Sequence, residues 1–149
     1  MKRVLYIFIF LVVVAAVFMV FRKTSFSEAY VLGGTLDKVG EDSIVVSVAV
    51  FKEENGAMVE QENTQGLTVL VAQDVVIKRT ILLVPASVSF FEVDKLESEE
   101  SMVNLGVMRE DFNQFSVPIG IEVKAQKRIG DRDFHATEIN YRFPRFGVE

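Results

Sequence analysis

Residues 43–51 read SIVVSVAVF, and this stretch decides the fold class because aliphatic residues alternate along it. The residues that share one face of the extended chain are Ile44, Val46, Val48 and Val50. Successive side chains of a strand point to opposite sides, so this spacing predicts a β-strand with one face in a core. The residues on either side of it show whether more strands surround it.

Turn signals and further extended segments flank the 43–51 stretch in both directions. Before it, residues 30–39 form a predicted strand in which Gly33 and Gly34 indicate a bulge or a sharp bend. After it, Asn55-Gly56 is a strong hairpin signal. The remaining predicted strands are residues 66–72, 75–84, 87–93, 120–128 and 134–142.

The predicted strand at 120–128 repeats the alternation, with Ile121, Val123 and Ala125 expected to face inward. Six or seven short strands, separated by turns at intervals of about ten residues, are typical of an all-β barrel or sandwich. The sequence therefore predicts a small antiparallel β-domain with little helix.

Three polar stretches are less regular. Residues 57–65 suit either an edge strand or the end of a long loop, and residues 109–115 suit a single helical turn. The segment from Asp94 to Asn104 is rich in acids. It is interpreted as a solvated loop or short helix, because a calcium site needs acids spaced around a tight, usually glycine-containing loop.

The N-terminal region is apolar. The run from Val4 to Phe21 contains 18 residues without charge, proline or glycine. As a helix it is about 27 Å long, close to the thickness of a bilayer core. We expect residues 1–23 to be an uncleaved, single-pass membrane anchor; a cleaved signal peptide and a buried helix are the alternatives. Residues 24–29 then form a tether or continue the helix, and residues 30–149 form the β-rich domain.

Charge is distributed unevenly along the chain. The whole sequence carries a net charge of −5, but its first acid is Glu28. Without Lys2, Arg3, Arg22 and Lys23, 12 Lys and Arg stand against 21 Asp and Glu, a net charge of −9. A domain with this negative charge repels the phosphates of nucleic acids. Nucleic acid is therefore not expected as a partner. The basic residues on the two sides of the apolar run slightly favour an N-terminus inside the cell, with the β-domain outside the cytoplasm.

Two stretches together resemble a known kind of domain. They are GGTLDKVGEDSIVVSV at residues 33–48 and PIGIEVKAQKRIGDRDFHATEIN at residues 118–140. Each combines a glycine, a strand of alternating aliphatics and a turn. In this the chain resembles the small OB-like β-barrel domains of unknown function that many bacteria carry beyond the membrane. The resemblance implies an OB-like barrel and an extracytoplasmic location, and it supplies no catalytic residues.

The residue types that usually carry chemistry are scarce. The chain has no cysteine, and His135 is its single histidine. A metal site would need ligands from elsewhere to join it, so His135 is interpreted as an exposed strand residue. Asp131 and Asp133 lie in a turn, where water keeps carboxylates ionised.

A serine–lysine pair is the other catalytic arrangement considered. Its candidates are Ser25 or Ser27 with Lys38 or Lys78. No motif places an amine beside either hydroxyl, as activation of a nucleophile requires.

Aromatic residues are plentiful in the second half of the chain. They are Phe90, Phe91, Phe112, Phe115, Phe134, Tyr141, Phe143 and Phe146. They suit either a stacking platform for single-stranded nucleic acid or a core without tryptophan, and core filling is the simpler interpretation.

The sequence therefore predicts a membrane-anchored, extracytoplasmic binding or scaffolding module, with an envelope protein or a glycan as partner. A membrane-tethered hydrolase or peptidase is the alternative. No catalytic, cofactor-binding or metal-ligating residue is assigned, and no cofactor is expected. Recognition is expected in the stretches 57–65 and 94–104, since exposed loops on a rigid scaffold commonly carry binding function.

Overall fold

The computed structural model describes residues 27–85, 96–115, 118–128 and 130–148. Within these ranges the chain forms seven strands and one helix of 10 residues. Their bounds are β1 Ser27–Val39, β2 Ser43–Glu54, β3 Ala57–Leu70, β4 Val76–Pro85, β5 Glu97–Val103, α1 Leu105–Gln114, β6 Gly120–Arg128 and β7 Phe134–Val148. The β-rich fold class predicted from the sequence is confirmed for these residues.

The predicted inward faces are also confirmed. The residues Ile44, Val46, Val48 and Val50 of β2 and Ile121, Val123 and Ala125 of β6 are all buried. Leu32 of β1 lies between the two strands, opposite Val50 on one side and Val123 on the other, and is fully buried. Burying an aliphatic side chain of this size stabilises the fold by about 1.5–3 kcal/mol. Alternation along β2 and β6 thus contributes to one continuous core.

All seven strands belong to one sheet, in the order β3-β2-β1-β6-β7-β4-β5. The end of β3 also pairs with the start of β7, at Val69 with Phe134 and Leu70 with His135. This extra pairing closes a ring of five strands, β1, β2, β3, β7 and β6. The β4–β5 hairpin extends the sheet beyond β7.

The sheet is mixed, whereas the sequence predicted an antiparallel one. Both β3 and β4 run parallel to β7, and the other strand pairs are antiparallel. Only residues 71–75 separate β3 from β4, so the two strands follow one another along the same neighbour. Parallel pairing needs a long crossover connection, and the chain between β4 and β7 provides one.

Gly34 lies where β1 and β2 approach each other closely. A Cβ atom at this position would overlap the backbone oxygen of Ser47 and lie 2.9 Å from Cα of Val48, so β2 approaches too closely for any side chain. The register shift between β1 and β2 lies slightly further on, between Leu36 and Lys38. Gly33 differs, because no atom lies within 4 Å of the position that a Cβ would take there.

The acidic segment is a strand rather than the expected loop or short helix. Residues 97–103 form β5, which pairs with β4 at an edge of the sheet. Edge strands tolerate charged residues because one side of their backbone faces solvent. Residues 57–65, for which a strand and a loop were both open, lie within the exposed strand β3.

Helix α1 is longer than the single turn expected at 109–115. It begins after Asn104, whose side-chain Oδ1 accepts a hydrogen bond from the backbone N–H of Val107 at 3.0 Å. This is an ordinary N-cap, which satisfies one of the free donors of the first turn. The helix packs Met108 into the core, and Phe115 at its end stacks near Phe143 with ring centroids 4.2 Å apart.

The N-terminal boundary differs slightly from the expected one. Strand β1 begins at Ser27, so residues 27–29 of the expected tether lie in a strand. No helix in the described ranges is both long and apolar enough to cross a bilayer. The run from Val4 to Phe21 lies outside the described residues, and so does the predicted strand at 87–93.

Candidate functional site

The face of the sheet that points away from the core forms an open cleft of about 670 Å³. Residues from β1, β6, β7, β4 and β5 line it, together with Leu96. Cavities of about 300–1,000 Å³ are usual for ligand sites in proteins. The cleft lies over the junction between the five-stranded ring and the β4–β5 extension.

Two neighbouring rungs of the sheet bring the cleft residues together. In order across the strands, the partners are Gly33, Glu122 and Asn140 in the first rung and Gly120, Arg142, Thr80 and Glu100 in the second. Cross-strand partners project to the same side of a sheet, so these residues share the outer face. The intervening Ile121 and Tyr141 are buried in the core. Strand alternation therefore sends apolar residues inward and polar residues into the cleft.

Two glycines make the floor of the cleft. Gly33 has open space above it, since nothing lies within 4 Å of an added Cβ. At Gly120 an added Cβ would lie 3.4 Å from Cγ and 3.5 Å from Nε of Arg142. The Arg142 side chain therefore passes over Gly120, where the absence of a side chain leaves room for it.

Three charged side chains face the cleft in the described part of the chain: Arg142, Glu122 and Glu100. No ion pair within 4.0 Å joins any two of these three residues in the described structure. Nor does the Arg142 guanidinium have a hydrogen bond to another described residue. Among the described residues, nothing occupies its planar fork of donors, which suits carboxylates and phosphates.

An ion-pair network borders the cleft on the same face. The carboxylate of Glu138 lies 2.9 Å from Lys124 Nζ and 3.2 Å from Lys78 Nζ. The hydrogen bonds from Lys124 and then Lys78 hold the pKa of Glu138 at about 2, and the same contact raises the pKa of Lys124. These three groups neutralise one another in part, so Arg142 and the two glutamates dominate the charge of the cleft.

Asn140 lies between this network and the cleft. Its Nδ2 donates a long hydrogen bond of 3.4 Å to Glu138. Its Oδ1 is buried without a hydrogen-bond partner among the described residues. A buried acceptor without a partner costs roughly 1–3 kcal/mol, so the Asn140 amide is an unfavourable element of the cleft wall.

A buried polar cluster lies on the opposite face of the same strands. Tyr141 Oη donates a hydrogen bond of 2.5 Å to Asp111 Oδ2, and Arg79 Nη1 lies 3.5 Å from the same oxygen. Arg79 Nε also donates to Ser101 Oγ at 3.0 Å. Burial, and then the hydrogen bond to Asp111, raise the pKa of Tyr141 well above its usual range. The cluster therefore ties α1 to β4, β5 and β7 with a neutral tyrosine donating to a carboxylate.

The residues singled out in the sequence do not gather into one site. His135 is exposed on β7, where its strand partners are Leu70 and Gln126. Asp131 and Asp133 are exposed beside the turn before β7. Among the described residues, no three side chains of the metal-binding types come together.

The serine–lysine pairing also has no support in the geometry. Ser27 and Lys38 lie near opposite ends of β1, and Lys78 is bound to Glu138. Ser25 lies outside the described residues.

The aromatic residues divide between the core and the surface. Phe134, Tyr141 and Phe143 are buried, and Phe112 and Phe115 pack against the core. Phe146 is 60% exposed, whereas Phe90 and Phe91 lie outside the described residues. The described aromatics thus fill the interior for the most part, as the simpler interpretation expected.

Sequence reasoning missed the cleft and the buried cluster. Arg142 and Glu122 were not singled out in the sequence, because their meeting depends on which strands are neighbours. Asp111 had a local signal. It follows Met108 by one helical turn, on the same face as Phe115, and so places an acid on the apolar side of α1.

Comparisons of the chain with family models, with curated proteins and with solved structures found no match.

Proposed function

We propose that the chain is a membrane-anchored binding module whose β-domain, an OB-like barrel held outside the cytoplasm, recognises a protein or glycan through the cleft on its outer face. The cleft is the observation that carries this proposal. It has the volume of a ligand site, a glycine floor and three charged side chains without partners among the described residues.

The strand order supports the OB-like part of the proposal. Five strands are closed by a parallel contact between β3 and the last strand, and the ring interior is filled by buried aliphatic and aromatic residues. A filled interior leaves the outer face as the surface available for recognition, as in OB-folds that bind ligands across their strands.

The cleft also changes which of the two polar stretches, 57–65 and 94–104, is expected to take part in recognition. The stretch around residues 97–103 is an edge strand beside the cleft, and residues 57–65 belong to an exposed hairpin arm. Of the two, only β5 contributes residues to the cleft, through Ser98 and Glu100. The acidic segment therefore takes part in recognition as a wall of the site.

Gly33→Leu tests the cleft as the binding site. The added side chain has free space, points outward and fills the floor, so the fold is kept while the cleft is blocked. Full-length wild-type and variant proteins in detergent are applied to one array that carries both synthetic peptides and oligosaccharides. We expect the wild type to bind members of one class and Gly33→Leu to bind them at least about tenfold more weakly, a loss of about 1.4 kcal/mol.

Gln61→Leu, on the hairpin arm, is the matched control and retains binding. Binding that persists in Gly33→Leu but is lost in Gln61→Leu would assign recognition to the arm and reject the cleft.

A further inference from the structure

Arg142 is the one cation among the described charged groups that face the cleft, and its position is unusual. Its side chain lies over Gly120, with Nε 3.5 Å from where a Cβ would be, and extends from β7 across β6. A guanidinium laid over a side-chain-free floor can approach a ligand with both of its paired N–H donors. This geometry suits a carboxylate, which accepts two parallel hydrogen bonds from arginine.

The other polar groups of the cleft call for hydrogen-bond donors on the ligand. Glu122 lies one rung from Arg142, and Glu100 lies beyond Thr80 on the far side. Both carboxylates accept hydrogen bonds only. A ligand that fits these groups carries a negative carboxylate beside N–H donors, and a second carboxylate without such donors would be repelled.

The apolar part of the lining distinguishes a peptide from a sugar. Leu82 and Leu96 offer aliphatic contacts at the β4–β5 side of the cleft. The single aromatic residue of the described lining, Tyr141, is 1% exposed and directs its hydroxyl to Asp111. The described cleft thus presents no aromatic face on which a sugar ring stacks, whereas aliphatic residues suit an amino-acid side chain.

We propose, resting on the assignment of the cleft as the binding site, that it captures the carboxyl terminus of a polypeptide. Arg142 binds the terminal carboxylate, Glu122 and Glu100 accept from peptide N–H groups or from a basic side chain, and Leu82 and Leu96 contact an apolar side chain. Capture of a terminal carboxylate is an established mode of peptide recognition.

Paired peptide libraries test this proposal. Full-length protein in detergent is titrated with fluorescent hexapeptide pools that differ only in a free or an amidated carboxyl terminus. We expect the free-acid pools to bind and the amidated pools to bind at least about tenfold more weakly. Arg142→Gln is expected to remove this preference. Arg145→Gln retains it, because Arg145 lies on the same strand but contacts Glu99 at 3.8 Å rather than the cleft.

The outcomes separate this proposal from the cleft assignment. Equal binding of free and amidated peptides, with loss in Gly33→Leu, would leave the cleft as the site and overturn carboxylate capture. Binding of oligosaccharides alone, or no binding of free-acid peptides at millimolar concentration, would also overturn it. The melting temperature of Arg142→Gln is measured as well. A value equal to that of the wild type shows that the lost preference for free-acid peptides comes from the cleft and not from a damaged fold.

Discussion

Gly33 and Gly34 are sequence neighbours with opposite surroundings, and this difference sets how each tolerates a side chain. An added Cβ at Gly34 overlaps the backbone oxygen of Ser47, and that oxygen belongs to a paired strand that has little freedom to move. At Gly33 the same atom meets nothing within 4 Å. One glycine is therefore required by packing, and the other leaves the cleft open.

We expect Gly34→Ala to destabilise the domain by about 1–3 kcal/mol, the range for substitutions that force a shift of the backbone, because the added Cβ overlaps the backbone of β2. Gly33→Ala is expected to change the free energy of unfolding by less than about 0.5 kcal/mol, as surface substitutions do. Denaturant unfolding of the two variants measures both values. Equal losses in the two variants would contradict the close contact at Gly34.

Glu138 is the second residue whose behaviour follows from its contacts. Its pKa is about 2 in the folded domain, below the ordinary value of 4.5, because Lys124 and Lys78 donate hydrogen bonds to it. A depressed carboxyl pKa adds stability that is present above pH 4.5 and is lost as the pH falls toward 2. The contribution is thus greatest near neutral pH.

We expect Glu138→Gln to lower the melting temperature at pH 7 and to approach the wild type as the pH falls from about 5 to about 2. Melting curves across this interval measure the effect. Glu53→Gln is the control, because Glu53 has no ion pair in the described structure. The melting temperature of this variant should follow that of the wild type at every pH. A gap between Glu138→Gln and the wild type that stayed constant with pH would refute the assignment.

At the scale of elements, the buried cluster of Asp111, Tyr141 and Arg79 fastens α1 to the sheet. Asp111 is 7% exposed, and it accepts from Tyr141 while Arg79 lies beside it. These contacts join the helix to β4 and β7, the strands that carry Thr80 and Arg142 on their cleft face. The helix therefore supports the sheet from behind the candidate site.

Tyr141→Phe is expected to lower the free energy of unfolding by about 1.5–3 kcal/mol, the range for hydrogen bonds to charged groups. It should also speed hydrogen exchange of the α1 amides, since the helix loses its link to β7. Tyr30→Phe is the matched control. Its hydroxyl donates to Glu28, which keeps its contact with Lys52, so a smaller loss is expected. Equal losses of stability in the two variants would show that the Tyr141–Asp111 hydrogen bond contributes no more than the Tyr30–Glu28 hydrogen bond.

At the scale of the whole molecule, the proposed anchor limits how far the β-domain can lie from the bilayer. The apolar run from Val4 to Phe21 ends six residues before β1 begins at Ser27. An extended chain of that length spans at most about 22 Å, so the domain would remain close to the bilayer. The acidic body does not favour lying flat on anionic lipid.

We expect Val13→Arg to weaken membrane insertion by about 2.5–3.5 kcal/mol. Carbonate extraction of membranes measures this as a shift of the protein into the soluble fraction. Intact-mass spectrometry of the wild type should find the anchor still attached. A mature chain that starts near Ser25 or Ser27 would identify a cleaved signal peptide instead.

Cysteine labelling tests the side of the membrane. The chain has no cysteine, so Met58→Cys, at a position 48% exposed on the hairpin arm, introduces a single reactive thiol. A membrane-impermeant maleimide should label it on intact cells, and the cysteine-free wild type gives the background. Labelling that requires lysis would place the domain in the cytoplasm.

The sequence alone determined the features that depend on local spacing. Alternation predicted the all-β class and the inward faces of β2 and β6, and Asn55-Gly56 predicted the hairpin between β2 and β3. These predictions succeed because side-chain direction repeats every two residues in any strand, whatever its neighbours are.

Only the tertiary structure decided the features that depend on which strands become neighbours. Residues 97–103 lack strand-like composition, and pairing with β4 makes them a strand. Parallel pairing places β4 along β7 and brings Arg142 next to Thr80, and antiparallel pairing of β5 with β4 adds Glu100 on the far side of Thr80 to complete the cleft. Strand alternation fixes which way a side chain points but carries no information about its partner across the sheet. The partner is selected by the burial and backbone hydrogen bonding of the whole domain.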